Sequence, residues 1–189
     1  MSKRSIISIL ISIGIIALIV GIYAYQKMSG TTENIASVVD TSTSPPVQSQ
    51  LPAAPSGMTY YTDTDLGFSF LYPEHFDAQR QDTASGRLVI ISSSTQGLSV
   101  QLQTRGWNDV EQAVTLERIR HDAPLTDIRD AQQLNIDGHA AGVMFTSTAP
   151  GVQGDIIQAW FILNKHLYQF TAPHGSVSLL NTILASFKI

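Results

Sequence analysis

Five histidines and a scatter of closely spaced aspartates are the residues of this chain best suited to chemistry. His121-Asp122, with Asp127 a few residues on, has the donor types for a metal ion. A histidine in the last turn of a helix also complements the helix dipole, which explains the same residue without a ligand. His139 stands two residues after Asp137 and suits a carboxylate–histidine pair. It equally suits an exposed turn. Asp63 and Asp65, with Asp82 nearby in sequence, could offer oxygens to calcium, but they lack the repeated Asp-x-Asp-x-Asp-Gly loop of a dedicated site. His75, His166 and His174 have no ligand spacing. The metal candidates are therefore His121, Asp122, Asp137, His139, Asp63 and Asp65.

Other chemistries find less to work with. The chain has no cysteine, which excludes a thiolate zinc site, a cysteine nucleophile and a disulfide framework. No Gly-x-Ser-x-Gly elbow, Ser-x-x-Lys box or phosphate-cradling glycine loop is present, so no catalytic residue and no cofactor are assigned. Residues 59–189 carry eight Lys/Arg against thirteen Asp/Glu, a net charge of −5. A mildly acidic domain without a basic cluster does not suit nucleic acid, where binding rests on phosphate neutralisation.

The elements that would position these residues begin with a membrane segment. Residues 6–25, "IISILISIGIIALIVGIYAY", run without a charge, and as a helix they span about 30 Å, the thickness of a bilayer core. Lys3 and Arg4 outweigh Lys27, which places the N-terminus in the cytoplasm and the remainder outside. A cleaved signal peptide has a shorter apolar region and a small-residue cleavage site, and a pilin-type leader has a junction that is missing here. The expected organisation is a cytoplasmic stub and signal anchor over 1–27, a disordered Ser/Thr/Pro-rich tether over 28–58, and a folded domain over 59–189.

Within that domain, Phe68, Phe70 and Tyr72 alternate along a strand that Pro73 ends. Residues 87–93, "RLVIISS", contain a continuous apolar run, and Leu98, Val100 and Leu102 alternate with Ser99, Gln101 and Gln103. Val110, Ala113, Leu116 and Ile119 step by three, predicting a helix over 109–120 capped by Asn108 or Asp109. Asp137-Gly138 predicts a two-residue hairpin turn that pairs Ile136 with His139, Leu134 with Ala141 and Gln132 with Val143. Asn164-Lys165 predicts a second hairpin, pairing Leu163 with His166 and Phe161 with Tyr168. Residues 149–155, "APGVQGD", read as a long hairpin loop. A closing helix carries Val177, Leu180, Leu184 and Phe187 at helical spacing, with Ser176 as its cap. The strands of the second hairpin are apolar on both sides, so a layer is needed above and below. The predicted fold class is α+β, an α/β/α sandwich with a mostly antiparallel central sheet.

The order Tyr61, an acidic loop, Gly67-Phe68-Ser69-Phe70, Tyr72-Pro73 and the aromatic Phe76 resembles the start of PsbP-like domains. Tyr168 in the last strand and the closing "LLNTILASFKI" resemble that family's last strand and terminal helix ending in Ser-Phe. Phe76 departs from the tryptophan usual there. The family contains extracytoplasmic domains, among them a lumenal subunit supporting the oxygen-evolving complex of photosystem II, and its fold extends to a nuclear import factor that binds a small GTPase. The resemblance implies binding or assembly work rather than a reaction. The expected function is a membrane-anchored, extracytoplasmic, non-catalytic module whose partner is a protein or envelope component. The alternatives are a metal-dependent hydrolase using His and Asp at loop ends, and a subunit of a cell-surface appendage.

Overall fold

In the computed structural model, the described residues are 51–189 with the exception of Ser85, Glu111, Gln112, His139, Pro150 and Gly151. The anchor at 6–25, most of the tether and His139 therefore lie outside them. Among the described residues no helix is long and apolar enough to cross a membrane.

Among the described residues nine strands and two helices follow in chain order: β1 (Met58–Asp63), β2 (Phe68–Pro73), β3 (Asp77–Thr83), β4 (Gly86–Ser93), β5 (Leu98–Gly106), α1 (Leu116–Asp122), β6 (Arg129–Ile136), β7 (Ala140–Thr148), β8 (Asp155–Leu163), β9 (His166–Pro173) and α2 (Val177–Ser186). A single 3-10 turn, His174–Ser176, leads into α2. Strands β3 to β9 form one antiparallel sheet in the order β3-β4-β5-β9-β8-β7-β6. The β1-β2 hairpin is a separate two-stranded sheet. Together they make a mostly antiparallel sheet protein with few helices.

Period-2 burial sorts the sheet's side chains onto two faces. One face carries Val89, Ile91, Val100, Leu102, Ala159, Phe161, Tyr168 and Phe170, and meets α2 and the first hairpin through Phe68, Phe70, Leu180, Ile183 and Phe187. Phe187 is the hub, within 6.3 Å, centroid to centroid, of Phe68, Phe70, Phe161, Tyr168 and Phe170. The other face has a smaller core of Val143, Phe145, Ile162 and Leu167, which Ile119 of α1 and Val114 cover. Two-sided burial thus holds for β7, β8 and β9. Beyond it, β4 and β5 present Ile90, Ser99, Gln101 and Gln103 half-buried on that second face.

Four expectations need correction. The helix expected over 109–120 is only Leu116–Asp122, and its cap is Thr115, whose hydroxyl accepts from the Arg118 N–H at 3.1 Å. The apolar stripe drifted around the helix axis, and Val110, at 95% exposure, has no face to bury. The Asp137-Gly138 hairpin is paired one residue later than expected: Ile136 meets Ala140, Leu134 meets Gly142 and Gln132 meets Met144. Both turn residues do take positive φ, but the Gly138 N–H donates to Asn135 Oδ1 at 3.0 Å, a side-chain closure that displaces the two-residue turn. Ser176 stands at the α2 cap position without bonding its helix, because its hydroxyl accepts from the Ser99 N–H instead. Finally, β1 and β3 have no counterpart among the expected strands. The hairpin at Asn164-Lys165 keeps its expected register, with both residues at positive φ.

Gly142 lies opposite Phe161, where a Cβ would come within 2.3 Å of the Trp160 carbonyl oxygen and 2.7 Å of Phe161 Cβ. Glycine is what lets β7 and β8 approach this closely there.

Candidate functional site

One end of the sheet gathers most of the candidates. It holds the first residues of β4, the last of β5, the turns at 137–138 and 164–165, and the loop between β1 and β2.

Asp63 closes that loop on itself: its carboxylate accepts from the N–H groups of Asp65 at 3.2 Å and Leu66 at 3.0 Å, and the Gly67 N–H donates to its carbonyl. The side chain is fully buried and its Oδ1 also receives Arg87 Nη1. Arg87 reaches Asp65 and Asp82 at 2.9 and 2.8 Å, while Arg80 reaches the same two carboxylates at 2.9 and 3.2 Å. The hydrogen bonds from Arg80 and Arg87 hold the Asp65 carboxyl below its ordinary range, and those from Arg87 and Arg80 do the same for Asp82. Burial works against the Arg87 charge, but its bonds to Asp82, Asp63 and Asp65 outweigh it and raise the pKa.

The three aspartates grouped as a calcium candidate therefore do converge, around two guanidinium groups. Their oxygens are spent on arginine and backbone donors, which joins the first hairpin to β3 and β4. Among the described residues no group of three or more His, Asp or Glu could hold a metal ion. Gly86 sets Arg87 in place: its φ is +135°, and a Cβ there would meet the Thr104 carbonyl oxygen at 1.9 Å.

The His121-Asp122 pair lies on the opposite face, at the end of α1. His121 Nδ1 is 3.0 Å from Asp122 Oδ1, Arg118 Nε donates to Asp122 Oδ2 at 2.6 Å, and Arg118 Nη2 donates to Asp109 Oδ2 at 2.5 Å. The Arg118 guanidinium also sits over the Trp107 ring, 5.1 Å from its centroid. Burial opposes the Asp122 charge, yet Arg118 and His121 hold its pKa below the usual value. Asp127 turns away to Arg129 at 2.9 Å, so it does not join His121. Half-buried Arg105, at the end of β5, has its pKa lowered by burial, partly offset by Asp122.

Asp137 serves a third arrangement. It forms an ion pair with Lys188 beside a cavity of about 320 Å³, which Ile136, Asp137, Leu163, Asn164, Phe187 and Ile189 line. Backbone bonds in both directions between Ser69 and Lys188 fix the lysine's position and tie the chain's last residues to β2. Apolar walls with one amide and one neutralised carboxylate at the rim suit the capture of a small or partly apolar group. They offer no proton-transfer pair.

The sequence reading missed Arg80, Arg87 and Lys188 as partners of these aspartates. Arg87 carried a usable signal: it shares the parity of Val89 and Ile91, so a charge at an inward position predicted a buried counter-charge.

No protein-family model matches the chain, and no curated protein matches it. Among solved structures it is similar to the solution structure of cyanobacterial PsbP, CyanoP, from Synechocystis sp. PCC 6803. The TM-score is 0.51 at 16% identity, over 77% of this chain and 99% of that one. The fold is PsbP-like.

Proposed function

We propose, with the PsbP-like fold as premise, that this chain is a non-catalytic binding or assembly module held to a membrane by residues 6–25 and displayed outside the cytoplasm. The fold is the observation that carries the coarse reading, because it is a scaffold of loops and hairpin tips around an aromatic core. The arginine-neutralised carboxylates support it: Asp63, Asp65 and Asp82 are each engaged in fastening one element to another. The uncharged run at 6–25 and the Lys3-Arg4 flank motivate the placement. The partner is a protein or another envelope component, and the cavity between the two hairpin tips is the concave surface offered to it.

A photo-crosslinking residue at Asn164 in the full chain tests this reading in intact membranes. A discrete adduct at Asn164, absent from a control at exposed Gln79 on the far edge strand, is the expected result. Equal labelling at both positions, or none at Asn164, removes the support for a binding role at this end of the sheet.

A further inference from the structure

Three interior oxygens have no hydrogen-bonding partner among the described residues: Asp63 Oδ2, Thr104 Oγ1 and the Tyr168 hydroxyl. Their residues are 0%, 1% and 0% exposed, so bulk solvent does not serve them. Buried polar atoms left bare are rare because each forfeits the hydration it had in the unfolded chain.

The three belong to one place. Thr104 lies opposite Arg87 on one neighbouring strand and opposite Tyr168 on the other, so Arg87, Thr104 and Tyr168 form a row across β4, β5 and β9 on the α2 face. Asp63 descends onto this row from the end of β1, with Oδ1 on Arg87. Its cross-strand partner Phe68 meets the Tyr168 ring edge-on at 5.6 Å. Tyr168 is also near enough to feel the Asp63 charge, which adds to burial in raising its pKa. The phenol cannot swing to close the gap: its ring stacks on Phe161 at 5.1 Å and is held edge-on by Phe187 at 5.4 Å.

We propose that Asp63, Thr104 and Tyr168 enclose one permanently bound water molecule beneath the first hairpin. It accepts from the Tyr168 and Thr104 hydroxyls and donates to Asp63 Oδ2. Three hydrogen bonds are the usual complement of a buried water. An alkali cation fits the same oxygens less well, because the Arg87 guanidinium already occupies the other oxygen of the same carboxylate and repels a second positive charge. The water is a further fastening of the first hairpin to the sheet, beside the Asp63–Arg87 pair, and it completes the bonding of a carboxylate whose Oδ1 already takes three donors.

Water oxygen-17 relaxation dispersion on the full chain in detergent tests the site. The wild type is expected to hold one more long-lived water than Tyr168→Phe/Thr104→Val, and Thr104→Ser is expected to keep it. Equal counts in wild type and double variant overturn the proposal. High-resolution diffraction from the wild type needs no variant to fold. A peak about 2.7–3.1 Å from all three oxygens supports the water. No peak, or one at about 2.3–2.5 Å as for a cation, overturns it.

Discussion

Tyr168 shows how burial at a single residue becomes a pH dependence. Its phenol is pushed up to about 12, first by burial and then by the Asp63 charge. A phenol that ionises near 10 when unfolded and near 12 when folded binds its proton more tightly in the folded state. Its contribution to stability is therefore complete below pH 10 and is lost as pH rises from 10 to 12. Urea midpoints of the full chain in detergent should fall across this window. Burial raises Tyr61 and Tyr72 in the same direction. Tyr168→Phe should flatten the fall while leaving a remainder from those two. An unchanged slope in that variant means that Tyr168 ionises at its ordinary value. The carboxylates act at the other end of the scale. Hydrogen bonds from Arg80 and Arg87 depress Asp65 and Asp82 below their ordinary 3.8. Their contribution is present above that value and is lost as pH falls through the depressed one. Stability should hold down to about pH 4 and decline below it, and Asp65→Asn/Asp82→Asn should decline less steeply over the same range.

The two long hairpins of the sheet separate what elements can and cannot tolerate. Lys165 holds φ at +59° in the second position of its turn, a conformation that favours glycine. Lys165→Gly should raise the thermal midpoint, by about 0.5–1 kcal/mol of stability, because it relieves the left-handed strain. Gly142→Ala should lower it by about 1–3 kcal/mol, since the added Cβ strikes backbone and the Phe161 Cβ across the ladder. Both changes are read from denaturation of the full chain, and opposite signs in either case reject the packing account. The same elements show what was legible in the sequence. The Asn164-Lys165 register was legible because alternation on both flanks and a two-residue turn agreed. The Asp137-Gly138 register was not, because the Asn135 side chain, and not the backbone pattern, closes that turn. Strand β3 went unread because an edge strand exposed on both sides has no apolar period to show. The first aspartates were legible as a cluster. What they would meet was not, since Arg80 and Arg87 arrive from other strands at long sequence separation.

At the scale of the whole chain, the folded part closes on itself at one end through ties between distant segments. Lys188 pairs with Ser69 through the backbone and with Asp137 through charge, and Ser186 Oγ accepts from the Leu71 N–H at 2.9 Å. The first hairpin is thus held by the last residues, and the described domain carries its own fastenings around its core cluster. Removing 6–25 should then release the chain into the aqueous fraction with its urea midpoint unchanged. The intact chain should sediment with membranes and resist carbonate extraction, as expected of a segment long and apolar enough to span a bilayer. Orientation is separable from anchoring. With Lys3 and Arg4 on the cytoplasmic side, protease added to intact cells should degrade an epitope placed after Ile189 and spare one placed before Lys3. The reverse pattern places the domain inside the cell. Release without a change in midpoint but with that reverse pattern keeps the anchor and the self-contained fold, and discards the extracytoplasmic role alone.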